Sequence, residues 1–235
     1  MQEYSERYQN YLKQGNEKSF LPSIYAWVDL LEKYQRKNMV VCEIGTSDGS
    51  TTRSYLEIIR KNDGHLFAID WFNGNLGVNS GTHFYNPSNS DGIYELFKKN
   101  VHSYLDIVEI KKGKSSQMIS SISDKSIDFC FIDASHLYHD VYEDIKLILP
   151  KMKEGGILAG HDCEDISLAN KGREEWLYRD FVGVPDPNMP NEHPYYGLRW
   201  VHYGVIQAVY DHFGNNIESF PDPDGQGVNI WVKYL

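Results

Sequence analysis

The sequence predicts a doubly wound α/β domain: a seven-stranded, mostly parallel sheet with helices on both faces. Three observations predict it. Short, nearly unbroken apolar runs recur along the chain, the pattern of strands buried on both faces. Between them lie stretches whose apolar residues fall at helical spacing. Successive runs also end in acidic or polar residues, and in open parallel sheets ligands bind beyond those ends. A chain of 235 residues is enough for one such domain and too short for two comfortable ones.

The elements follow in order. Residues 1–38 read as an N-terminal helical region, polar and aromatic at first. Ile24, Trp27, Val28 and Leu31 then share one helical face after Pro22. The core, 39–162, opens with Met39-Val40-Val41-Cys42-Glu43-Ile44 as a first strand, a turn over Gly45–Gly49, and a helix over Thr51–Arg60. His65–Asp70 is the second strand. Ile93, Leu96, Phe97, Val101 and Tyr104 mark a helix, and Leu105–Ile110 a third strand. Ile127–Asp133 is the fourth. Val141, Ile145, Ile148 and Leu149 form a helical stripe ended by Pro150 and Gly155-Gly156, and Ile157–Asp162 is the fifth strand. Strands alternating with helices imply parallel pairing with right-handed crossovers. Residues 163–203 break the rhythm with Pro185, Pro187, Pro190 and Pro194 among Trp176, Tyr178, Phe181, Tyr195, Tyr196 and Trp200. So long an insertion in a compact domain reads as a lid over an acceptor pocket. Residues 204–235 return with a helix (Val205, Val209, Phe213) and strands around Ile217–Phe220 and Val228–Tyr234.

Composition excludes several partners. With 23 Lys and Arg against 33 Asp and Glu, the formal charge is −10, which repels phosphate backbones and anionic membranes. Lys111-Lys112-Gly113-Lys114 is too short a basic stretch to reverse that. No apolar stretch is long enough to span a bilayer, and the polar start lacks the order of a signal peptide. Cys42, Cys130 and Cys163 are too few and scattered for a disulfide framework. The expected setting is cytoplasmic, with a small-molecule acceptor and a homo-oligomer through the N-terminal region as the partners to look for.

The turn Glu43-Ile44-Gly45-Thr46-Ser47-Asp48-Gly49-Ser50-Thr51 carries the first functional signal. Its glycines let the backbone turn sharply and let a ligand approach closely. A dinucleotide would ask for G-x-G-x-x-G and a helix start free to take pyrophosphate. Here the spacing is Gly45-x-x-x-Gly49, flanked by Glu43 and Asp48, which suits a ligand without phosphate and with a positive end. Asp70 closes the second strand about twenty residues on, where a carboxylate can take both ribose hydroxyls. Trp71 and Phe72 follow it, either covering a base or packing in the core.

These segments, together with Phe131-Ile132-Asp133, resemble the class I S-adenosylmethionine (SAM)-dependent methyltransferases, over roughly residues 39–162. The resemblance implies the Rossmann-like methyltransferase fold and SAM as the cofactor. Glu43, Gly45, Thr46, Asp48 and Gly49 would lie around the methionine part, and Asp70 and Trp71 at the ribose and adenine. Lys114 and Ser115 belong to a turn, Lys112-Gly113-Lys114-Ser115-Ser116, similar to the G-x-S turn beside the adenine in small-molecule O-methyltransferases. Asp133 would close the site.

Asp133 and His136 after the fourth strand, and His161 and Asp162 after the fifth, form the second signal. Neighbouring strands lie about 5 Å apart, so these side chains can converge. Two carboxylates and an imidazole could hold Mg²⁺ or another divalent cation, which would acidify a bound hydroxyl. His136 is placed to take its proton. The pattern Asp133, His136, Tyr138, Val141, Asp144, then G-G-I-L-A-G-H-D, is similar to sugar O-methyltransferases of the macrolide type and, more distantly, to catechol methyltransferases. Those relatives carry two adjacent acid or amide ligands after the fifth strand; this chain offers His161-Asp162 or Asp162-Cys163. The ion is therefore held as Asp133, Asp162 and His161, or by two acids and water, or is absent with His136 acting alone. Asp133 also reads as a helix cap, His136 as a hydrogen-bonded histidine, and His161 as plain packing. Asp144 reads as solvent-facing, and His83 and His202 as structural. The expected activity is methyl transfer to a hydroxyl oxygen of a sugar, glycoside or phenol. The alternatives are a SAM-binding module without catalysis, or a nicotinamide-dependent oxidoreductase on the same architecture.

Overall fold

The computed structural model describes residues 23–72, 90–185, 198–221 and 229–235. Expectations for residues 1–22, for His83 and for 186–197, the oligomer-forming N-terminal segment and the lid aromatics Tyr195 and Tyr196 among them, lie outside the described residues. Helix α1 (Ser23–Tyr34) leads to β1 (Val40–Ile44), α2 (Ser50–Lys61), β2 (His65–Asp70) and α3 (Ser90–Asn100). Next come β3 (Val108–Lys112), α4 (Ser115–Ser120), β4 (Ile127–Ile132), α5 (Tyr138–Ile148) and β5 (Met152–Gly160). A hairpin of β6 (Val182–Pro185) and β7 (Leu198–Val201), α6 (Tyr203–Phe213), β8 (Glu218–Pro221) and β9 (Asn229–Tyr234) complete it.

The main sheet has seven strands in the order β3-β2-β1-β4-β5-β9-β8. The first five pair in parallel, and β9 joins β5 and β8 antiparallel. Strand order reverses between β1 and β4, so the carboxyl ends of those two strands open the crevice where such folds bind ligands. Among the described residues no helix is long and apolar enough to cross a membrane.

Alternation along the strands divides the core. Val41, Leu66, Ala68, Phe129 and Phe131 face α1, α2 and α3, packing with Trp27, Leu31, Tyr55, Leu56 and Phe97. Trp27 stacks on Phe131 with ring centroids 4.9 Å apart. Cys42, Ile44, Ile69, Cys130 and Ile132 face the other layer, with Ile119 of α4, Val141 and Ile145 of α5, and Ile206 and Val209 of α6. Each buried Val, Leu, Ile or Phe among them contributes about 1.5–3 kcal/mol on leaving water.

Two strands differ from the sequence expectation. The third begins at Val108, not Leu105, because His102–Tyr104 form a 3-10 turn and Leu105 is left 45% exposed. The fifth begins at Met152, so Gly155-Gly156 lie within it and do not end the preceding helix. There the register jumps from Ile127 opposite Met152 to Phe129 opposite Ile157. Gly155 supplies the positive φ of +72° at that irregularity.

Candidate functional site

The crevice is built where three strand ends are stitched together. Gly45 donates its N–H to the Ile69 carbonyl (2.9 Å), and Asp133 donates to that of Ile44 (2.8 Å). Gly45 has φ +93°, and a β-carbon there would lie 2.0 Å from the Asp133 carbonyl oxygen. No other residue fits this point. Asp70 accepts from the backbone N–H groups of Ser47 (2.8 Å) and Phe72 (2.6 Å). Burial pushes its carboxyl above the usual range, opposed by those N–H groups and that of Thr46.

A cleft of about 400 Å³ opens here. Of the residues picked from the sequence, Gly45, Asp70, Trp71, Lys114, Ser115 and Asp133 line it. Lys114 Nζ sits 5.1 Å from the centre of the Trp71 ring, so the post-β2 and post-β3 turns meet across the cleft.

Glu43, Thr46, Asp48 and Gly49 sit around the turn without lining that cleft. Strand alternation puts Glu43 on the α2 side with Val41, where its Oε2 accepts from Thr52 Oγ1 (2.5 Å) and Tyr55 Oη (2.6 Å). Its Oε1 is buried with no hydrogen-bond partner, and so is Thr46 Oγ1. Burial pushes Glu43 up to about 8 against the pull of the Thr52 and Tyr55 hydroxyls. Asp48 is spent locally, accepting from the Ser50 N–H and hydroxyl (both 2.9 Å) at the start of α2. Gly49, at φ +80°, precedes that helix.

Beside the cleft lies a second, imidazole-rich centre. Asp133, Ala134 and Ser135 belong to both, lining the cleft and also the small cavity that holds His136, His161 and Asp162. Asp162, in a left-handed conformation at φ +58°, is the hub. Its Oδ2 lies 2.8 Å from His136 Nε2 and 3.1 Å from His161 Nδ1, and its Oδ1 3.7 Å from His202 Nδ1. His161 Nδ1 is also 3.8 Å from Asp133 Oδ1. Burial pulls His161 down, but Asp162 and Asp133 prevail and bring it to about 9. Burial likewise pulls His136 down, and the carboxylates of Asp162 and Asp180 prevail, holding it well above its ordinary value. Burial pushes Asp133 up, opposed chiefly by His161. For Asp162 burial acts upward too, yet the three imidazoles keep it well below the carboxylate range.

Three members of this centre escaped the sequence reading, and all come from 163–203. Asp180 Oδ1 meets His136 Nδ1 at 2.7 Å. Glu164, with no side-chain exposure, bonds His202 Nδ1 and accepts from the His202 N–H at 3.1 Å. His202, expected as structural, therefore stands within this cluster. Asp144 is corrected as well: it is 4% exposed and lines the cleft, where burial pushes it to about 7 against a bond from Ser115.

The comparisons bear on the fold and the family. Residues 42–163 match the family model described as a methyltransferase domain. A protein of Sinorhizobium fredii (strain NBRC 101917 / NGR234), named uncharacterized protein y4gI, is 24% identical over 164 residues, 68% of this chain and 17% of its own length. The chain thus spans about a sixth of that relative. The O-methyltransferase TomG of Streptomyces achromogenes, solved with SAM, superposes with TM-score 0.58 at 13% identity, covering 98% of this chain and 88% of its own. An O-methyltransferase of Bacillus cereus solved with S-adenosylhomocysteine (SAH) gives 0.56 at 14% identity, covering 99% and 90%. These likenesses show the Rossmann-like methyltransferase fold. With more than half of its length matched by the family model, this chain belongs to the methyltransferase domain family.

Proposed function

We propose that the protein transfers a methyl group from SAM to a hydroxyl oxygen of a small molecule, a sugar, glycoside or phenol. The observation that carries this reading is the shared wall Asp133-Ala134-Ser135, which puts the cleft lined by Gly45, Asp70 and Lys114 directly beside the His136–Asp162 centre. Bound SAM supplies an electrophilic methyl group with a good leaving group already attached.

The residues present fit that donor. Glu43 Oε1 and Thr46 Oγ1 are buried acceptors left without partners at the Gly45 turn, and a buried orphan is costly; an ammonium would satisfy them. Asp70 carries a carboxylate for ribose hydroxyls, and Trp71 and Lys114 face each other where a base would lie. No phosphate is called for, in keeping with the acids around the turn.

The donor set Asp133, His161 and Asp162 does not fit magnesium. A hard ion of that kind wants oxygen ligands. Here one of three donors is an imidazole, and Asp162 is already engaged by His136 and His161. Proton removal is therefore assigned to side chains alone. Asp180 holds His136 through Nδ1, which fixes the ring with Nε2 toward Asp162. The two carboxylates favour the imidazolium, so it is the neutral fraction, growing as pH rises, whose Nε2 takes the hydroxyl proton as the oxygen is alkylated, and Asp162 stabilises the imidazolium so formed.

The test is incubation with methyl-labelled SAM and a panel of sugars, glycosides and phenols. Label should appear in an ether product. His136→Gln should cut turnover by about 10²–10⁴, and Asp133→Asn should cut it while SAH affinity survives. Label recovered on nitrogen or carbon, or equal loss of turnover and SAH binding in both variants, would contradict the reading.

A further inference from the structure

We propose that His136, His202 and Asp162 form a site for one borderline divalent transition ion, of the Zn²⁺ class, which a hard ion such as Mg²⁺ does not share. One donor atom from each residue lies within 4.8 Å of the others, and the two imidazoles meet edge to face with centroids 4.6 Å apart. A tetrahedral ion with bonds of 2.0–2.1 Å places its donors about 3.3 Å apart, so closure asks for side-chain shifts on the order of 1 Å.

The stronger observation stands behind the imidazoles. Asp180 bonds His136 Nδ1 and Glu164 bonds His202 Nδ1, so each ring is fixed by its own carboxylate, with His136 Nε2 turned to Asp162 Oδ2 at 2.8 Å. That pairing orients metal-bound histidines and raises their basicity. Two imidazoles and one carboxylate favour Zn²⁺ or Co²⁺ over magnesium. The neighbouring group Asp133, His161 and Asp162 offers only one imidazole and is the harder set. The mutual repulsion of the buried acids Asp162, Glu164 and Asp180 would also be offset by a dication.

A consequence rests on the proposed function: an ion on His136 Nε2 occupies the lone pair that would accept the acceptor's proton, so Zn²⁺ should inhibit methyl transfer and a chelator should restore it.

The experiment is calorimetric titration of zinc chloride into the full chain after chelator treatment. One equivalent should bind, unaffected by millimolar magnesium. His202→Ala should weaken binding about 100-fold or more, and Glu164→Gln about 10- to 100-fold. In case a variant fails to fold, imidazole nitrogen NMR of the wild type should show Zn²⁺ moving the His136 and His202 resonances. No saturable Zn²⁺ binding, unchanged affinity in folded His202→Ala, displacement by magnesium, or unmoved resonances would each overturn the site. Binding without inhibition would uphold the site and refute His136 as the proton acceptor.

Discussion

Asp180 lies 44 residues downstream of His136, yet its Oδ1 sits 2.7 Å from the His136 Nδ1. The insertion after β5 therefore supplies a partner to a residue that follows β4, and the two are built as one unit with Asp162. His136, Asp180 and the lining of the neighbouring cleft come from the loops after all five parallel strands.

His136 should titrate above its ordinary value of about 6.5 in the chelator-treated protein. Asp180→Asn leaves the burial and removes one of two carboxylates, so the pKa should fall by about one to three units. Imidazole NMR across a pH series reads both. A histidine raised on folding adds stability that is complete below the unfolded pKa and fades as pH climbs through the folded one. The variant should lose stability chiefly on the acid side.

Glu43 makes the opposite use of burial. Its carboxyl is pushed to about 8 from an unfolded value near 4.5, so its stabilising contribution is complete below about pH 4.5 and is lost as pH rises toward 8. Thermal melts should show Glu43→Gln less sensitive than wild type between pH 5 and 9. Parallel curves would mean the group ionises freely in the fold.

Gly45→Ala should destabilise by at least about 2 kcal/mol and abolish SAH binding. The added β-carbon meets Asp133 main chain in a left-handed conformation, so nothing flexible can move aside. Denaturant unfolding with and without SAH checks both effects.

Gly204→Ala probes the other centre. A β-carbon there would come 2.2 Å from the His136 carbonyl oxygen, displacing the segment that carries the base. Turnover should fall while SAH affinity holds; loss of both in equal measure would place Gly204 in the general scaffold.

The cleft was legible in the sequence because local order encodes much of it. Asp70, Trp71 and Asp133 stand at or directly after a buried apolar run, so finding the strand finds the residue, and Lys114 and Ser115 belong to the turn that follows β3. Glu43 shows the limit of that logic: it lies one residue inside its strand, and alternation turns it toward α2. Asp144 had a readable signal that its charge concealed. It stands three after Val141 and four before Ile148, on the apolar stripe of α5, which is why it is buried. Glu164, Asp180 and His202 carried no local signal. They lie within an insertion without periodicity; Glu164 follows Asp162 closely in the chain, whereas Asp180, just before β6, and His202, between β7 and α6, reach His136 and Asp162 only through the tertiary fold.

The most direct test of the account is calorimetric titration of SAH into the wild type and into Asp70→Ala. A SAM-binding crevice at the β1–β4 junction predicts one site in the wild type and loss of measurable binding in the variant. Absence of binding in the wild type, or equal affinity in a folded Asp70→Ala protein, would contradict it.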